Sequence, residues 1–151
     1  MSIKMSLSEY NKLTGNTDTS TKKKKNKYRN KRVNVDGVSY DSITEYERHY
    51  ILKLLERSGE ISQLEYHKKK NNLVLQENPR IVYEPDFCYY DKNGTYVIED
   101  VKGAQTKEFI LKKKMIISKL ETNEIEGMFI LTKKVDKNNF KVVETYKSKK
   151  K

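Results

Sequence analysis

The sequence predicts an α/β domain in which a mixed sheet is flanked by helices. Three observations carry that prediction. Residues 42–58 repeat apolar side chains at helical spacing and stop at Gly59. Residues 80–102 read as two strands around a turn. Residues 106–120 form a second helical run, and the short apolar stretch 128–131 after it reads as a buried strand. Helix, strands, helix and strand in that order call for helices packed on a sheet. The chain of 151 residues is long enough for one domain with its own core. That domain is expected over residues 33–146, between an N-terminal arm (1–32) and a short tail (147–151).

Residues 1–31 are rich in Ser, Thr, Asn and Lys with few apolar anchors, the composition of a disordered segment. Residues 33–40 suit a hairpin centred on Asp36-Gly37. Ser42 followed by Glu45 is a capping-box pattern that opens the first helix. Ile43, Tyr46, Tyr50, Ile51, Leu54 and Leu55 then supply its apolar positions. Residues 60–66 and 73–76 read as strands separated by the polar run 68–72. Strands over 80–90 and 95–102 flank the turn Asp91-Lys92-Asn93-Gly94, with Gly94 suited to a left-handed position. Gly103 breaks the second strand. The helix over 106–120 counts Phe109, Ile116 and Leu120 among its contacts, and residues 140–146 suit a final edge strand.

Charge is distributed unevenly along the chain. Residues 22–32 hold eight basic residues and no acid: Lys22, Lys23, Lys24, Lys25, Lys27, Arg29, Lys31 and Arg32. Four more lysines lie in the tail from Lys147 onward. Set against a formal net charge of +11, these twelve leave the remainder close to neutral. Basic arms of this kind neutralise phosphates, so the expected partner is a nucleic acid, bound with a steep salt dependence. Neither arm has an apolar face for a membrane. A single cysteine, Cys88, excludes an internal disulfide and a multi-cysteine zinc site. With no apolar run of membrane-spanning length and no signal peptide, a cytoplasmic protein is expected.

The chemistry concentrates in residues 84–103. Strand alternation points Asp100 and Lys102 one way and Glu99 and Val101 the other. Asp86, on the preceding strand, comes close enough to share the face of Asp100. Two nearby carboxylates resist joint ionisation unless a cation lies between them. Magnesium (Mg2+) suits the position, with manganese (Mn2+) as a substitute, because it takes one or two carboxylates and keeps waters and phosphate oxygens. The carbonyl of Val101 could add an oxygen, and Lys102 could hold water or offset charge on phosphorus. Glu99 reads as structural, paired with a basic residue on the opposite face. His49 and His67 read as structural or surface residues. Gln105 and Thr106 open the second helix, whose amides could receive a phosphate.

Pro85-Asp86 and Asp100-Val101-Lys102 together resemble the paired motifs of the PD-(D/E)XK nuclease superfamily. The element order matches that superfamily's restriction-endonuclease-like αβββαβ core. Tyr28-Arg29-Asn30-Lys31, Tyr40-Asp41-Ser42, Glu45, Pro85-Asp86-Phe87 and Glu99-Asp100-Val101-Lys102-Gly103 are similar to a small phage-encoded family described as endonucleases akin to Holliday-junction resolvases. The resemblance spans roughly residues 27–120. It implies that Asp86 and Asp100 bind metal, that Lys102 is the catalytic lysine, and that Glu45 completes the site. The helical wheel puts Glu47 nearer the buried arc, so Glu47 stands as the alternative to Glu45. The resemblance also implies action on branched DNA, dimerisation, and the cytoplasm of a bacterial host. The expected function is a magnesium-dependent DNA endonuclease, and the alternative is a non-catalytic DNA-binding or recombination accessory protein with a nuclease-like fold.

Overall fold

A computed structural model describes residues 31–149. These fall into two compact units, the first ending at Glu47 and the second beginning at Arg48. Residues 1–30, where the disordered arm was expected, lie outside the described part, as do the last two lysines of the tail.

In the first unit, β1 (Val33–Val35) and β2 (Val38–Tyr40) form an antiparallel hairpin. Its turn residues Asp36 and Gly37 have φ of 52° and 77°. Both central positions are thus left-handed, the conformation for which Asp-Gly is favoured. Helix α1 (Ile43–Ser58) starts in this unit and continues into the second. Ser42 Oγ accepts from the Glu45 N–H at 3.2 Å, as the N-cap position requires. At the other end Gly59 (φ 84°) and Glu60 donate to Glu56 and Leu55 carbonyls, a Schellman closure.

The second unit is built on a five-stranded sheet. Its members are β3 (Ile61–Tyr66), β6 (Phe87–Asp91), β7 (Tyr96–Val101), β8 (Met128–Asp136) and β9 (Asn139–Lys147), in the spatial order β3-β6-β7-β8-β9. β7 and β8 run parallel, joined through α2 (Lys107–Glu121), and the other neighbours are antiparallel. The expected mixed sheet and the αβββαβ order are therefore present, with β9 added at the edge. Close approach sets the start of β8: a Cβ on Gly127 would collide with the Tyr96 carbonyl.

Alternation along the strands divides the core between two faces. Leu52 of α1 packs with Ile61, Phe87, Tyr89, Val97 and Ile130 on one. On the other, Phe109, Ile116 and Leu120 of α2 pack with Cys88, Ile98, Phe129 and Leu131. β4 (Leu73–Glu77) and β5 (Arg80–Tyr83) form a separate hairpin that adds Leu75 and Tyr83 to this second cluster.

Two strand readings are corrected by the pairing. The single strand expected over 80–90 is two: β5 ends at Tyr83, and β6 begins at Phe87 in a different sheet. Pro85, which has no N–H for a ladder, lies in the break. The strand expected over 73–76 is present as β4, which pairs with β5 outside the central sheet. The strand expected over 128–131 runs on to Asp136, since pairing with β9 supports it beyond its buried half.

Glu99 is fully buried, on the α1 side of β7. Arg48 grips it with two hydrogen bonds, Nε to Oε1 at 2.6 Å and Nη2 to Oε2 at 3.2 Å. Tyr89 Oη donates to Oε2 at 2.6 Å and Thr132 Oγ1 to Oε1 at 2.8 Å. The structural role and basic partner expected for Glu99 are both present. Burial works against the guanidinium charge, yet the Glu99 carboxylate outweighs it and holds Arg48 above its ordinary pKa. Removing one member of such a pair strands the other in the core. Arg48→Met is therefore expected to cost about 3–5 kcal/mol in urea unfolding; a loss below about 1 kcal/mol would contradict this account of the network.

Candidate functional site

The acidic pair arises from the register of the central hairpin. Phe87 stands opposite Glu99, so one further step in the antiparallel ladder puts Asp86 opposite Asp100. The turn that fixes this register is closed by Gly94 (φ 78°) and by Asp91, whose Oδ1 accepts from Asn93 and Thr95 N–H groups at 2.9 Å each. Phe87 and Glu99 face α1, which leaves Asp86 and Asp100 on the α2 side of the sheet. Both acids are buried, at 6% and 2% exposure.

Their surroundings differ. Asp86 Oδ2 accepts from the Val101 N–H at 2.9 Å, and its Oδ1 meets His67 Nε2 at 3.1 Å. His67 Nδ1 lies 3.1 Å from Glu84 Oε1, so both ring nitrogens face carboxylates. His67 sits one residue past β3, at φ 45°, with its N–H donating to the Asp86 carbonyl. A left-handed, non-glycine residue anchored in this way is uncommon and marks a place where the chain is constrained.

Asp100 Oδ2 is buried and without a well-aligned hydrogen bond. Lys102 Nζ approaches it at 3.2 Å and also lies 4.6 Å from the centre of the Phe109 ring. The ring face attracts the ammonium and fixes its direction. Tyr83 Oη, supplied by the β4–β5 hairpin, is a second buried polar atom without a well-aligned hydrogen bond, and it lies beside Asp100. Burial, and then the negative Asp86, push the Asp100 carboxyl well above its usual range against the pull of Lys102. Burial and the same two acids push the Tyr83 hydroxyl upward as well.

Asp86, Asp100 and Lys102 are thus brought together, and Val101, expected to contribute its carbonyl, meets Asp86 through its N–H. Glu45, half-buried in the first turn of α1, and Glu47, which is buried, belong to the first unit. Thr106 caps α2 by accepting from the Phe109 N–H at 3.1 Å. Gln105 is engaged with Glu144 and Lys113, both at 2.8 Å. Lys22, Lys23, Lys24, Lys25, Lys27 and Arg29 lie outside the described residues. Lys31 and Arg32 precede β1, and Arg32 Nε lies 3.5 Å from Asp41.

Tyr83, Glu84 and the involvement of His67 were missed in the sequence. The one available signal was that Tyr83 and Glu84 directly precede Pro85-Asp86. Reading 80–90 as a continuous strand hid the bend that turns them toward the site.

The donor set fits a hard divalent cation. Two opposed carboxylates offer oxygen ligands, one buried oxygen lacks a hydrogen bond, and both acids sit where a positive charge would relieve their repulsion. Fold and site together define a small α/β protein with an acidic pair and a lysine at the end of its central hairpin. The chain belongs to the family described as Protein of unknown function (DUF1064), whose model matches residues 25–138. Comparisons with curated proteins and with solved structures gave no match. Among the described residues, no helix is long and apolar enough to cross a membrane.

The raised Asp100 pKa has a definite sign in stability. The folded state keeps a proton that the unfolded chain releases, so this group's contribution is present below the ordinary carboxylate pKa. It is lost as pH rises through the folded value. In EDTA, Asp100→Asn is expected to raise the thermal midpoint at neutral pH by about 3–6 °C and to flatten its fall with pH. The same variant should lose any stabilisation by added manganese. An unchanged midpoint, with manganese stabilisation intact, would show that Asp100 is neither strained nor a ligand.

Proposed function

We propose that the protein is a metal-dependent DNA endonuclease that hydrolyses phosphodiester bonds. The observation that carries this reading is the buried Asp86–Asp100 pair, with Lys102 Nζ 3.2 Å from an Asp100 oxygen that makes no well-aligned hydrogen bond. Asp86 and Asp100 would hold magnesium, and the Val101 carbonyl would be a further oxygen donor. A cation so held supplies Lewis acidity toward a phosphoryl oxygen and lowers the pKa of bound water.

The chain's own groups provide positioning and charge. Val101 N–H and His67 fix the Asp86 carboxylate from two sides. Lys102, steered by the Phe109 ring, stands where its ammonium can orient water or offset charge building on phosphorus. The aliphatic and aromatic cluster of Tyr83, Phe109 and Leu131 keeps bulk water from the inner side of the acids, which strengthens every charge interaction there. The basic arms supply affinity through phosphate contacts, so binding reads backbone and shape more than base sequence.

A preference for branched DNA, a two-fold assembly suited to paired cuts, Glu45 as a further site residue, and work inside a bacterial host all follow from the resemblance to phage endonucleases. Incubation with linear, nicked and four-way-junction DNA in magnesium, manganese or EDTA tests the reading. Cleavage is expected with either metal and not with EDTA. Asp100→Ala and Lys102→Ala should each lower the rate by about 100-fold or more. Cleavage that survives EDTA, or variants as active as the parent chain, would falsify the mechanism. Salt-sensitive binding without cleavage under any cation would favour the accessory role instead.

A further inference from the structure

We infer that the β8–β9 ribbon is the place where the folded body grips the phosphate backbone of duplex DNA, with Lys133 and Lys141 as its principal contacts. This rests on the proposed function and adds the surface that aligns DNA with the acidic pair. β7 ends at Val101, opposite Thr132 in the parallel ladder, whereas β8 continues to Asp136. The four extra residues project about 13 Å past the end of β7 that carries Asp100 and Lys102.

Lys133 and Lys141 stand directly opposite each other across the β8–β9 ladder. Both are exposed, and neither has an ion pair among the described residues. Like charges in that position are destabilising. The nearby acids are occupied elsewhere. Asp136 accepts from the Lys137 N–H within the turn, and Glu144 is held by Lys113, Gln105 and Tyr146. Lys134 and Lys137 add charge near the tip.

Alternation places Lys133 on the face of Leu131, which is also the face of Asp100. Lys102 donates its backbone N–H to the Thr132 carbonyl, so the next step along the two strands brings Lys102 beside Lys133. Lys102, Lys133 and Lys141 therefore form a row across three adjacent strand positions, leading from the acidic pair to the sheet edge. Strand spacing makes the row roughly 10 Å long. Such a row repels a second copy of the same edge and complements a polyanion. On the opposite face Arg48 lies 5.4 Å from the centre of the Phe140 ring, and Thr132 is tied to Glu99. The base of the ribbon is thus fixed to the same network that sets the acids.

The test uses the full chain and a 25-base-pair duplex, with anisotropy titrations between 50 and 200 mM salt. Lys133→Gln with Lys141→Gln should lower the slope of log K against log salt by about 1.8, about 0.9 for each lost phosphate contact. Affinity at 0.1 M salt should fall by about tenfold or more. Lys133→Glu supplies the control for folding: it replaces a repulsive pair by an attractive one, so its thermal midpoint should rise while DNA binding weakens. Lys69→Gln with Lys92→Gln removes equal charge from exposed sites elsewhere and should change the slope by less than about 0.5.

Ribbon variants that bind like the parent chain would overturn the inference and leave the endonuclease reading intact. So would an equal loss in the Lys69 and Lys92 control. A parent chain with no affinity for duplex DNA at 50 mM salt would overturn both.

Discussion

The buried contact between Arg48 and Glu99 is the constraint on which the second unit depends. A carboxylate with no solvent exposure is tolerable only when its lone pairs are met, and here Arg48, Tyr89 and Thr132 meet them. These partners come from α1, β6 and β8, so one side chain of β7 joins the helix to three adjacent strands. A slip of one residue in β7 would expel Glu99 from this network and bury Asp100 in its place. Register is therefore specified by a polar interaction as well as by the apolar pattern.

Once Glu99 is fixed, the location of Asp100 follows. The two acids are neighbours in sequence and face opposite sides of the sheet, into environments that treat charge differently. Glu99 has a cation and two hydroxyls. Asp100 has a second carboxylate across the ladder, a tyrosine hydroxyl, and one lysine approaching from the open end. The first arrangement holds the fold together. The second leaves two buried carboxylates in mutual repulsion, which a divalent cation between them would relieve.

Much of this was legible in the sequence. Period-two alternation separated Glu99 from Asp100, and Gly94 fixed the turn that brings Asp86 across from Asp100. Ser42 and Gly59 bounded the first helix within a residue, because caps are local chemistry. Long-range pairing was less accessible. Nothing local distinguishes a strand that pairs with its immediate predecessor from one that enters the central sheet, so β5 was read as the start of β6 and Tyr83 was overlooked. His67 carries no periodic signal; its importance comes from a left-handed backbone and two carboxylates distant in sequence. Charge counting along the chain drew attention to the termini, while the opposed Lys133 and Lys141 become visible only once β8 and β9 are paired.

Crystals of the protein soaked in manganese and measured at a wavelength with manganese anomalous signal decide whether the Asp86–Asp100 pair holds a cation. A strong anomalous peak is expected within coordination distance of both Asp86 and Asp100, with Lys102 displaced from the Asp100 carboxylate or sharing it. A manganese-soaked structure with no peak between those two acids, and Lys102 still paired with Asp100, would contradict this expectation.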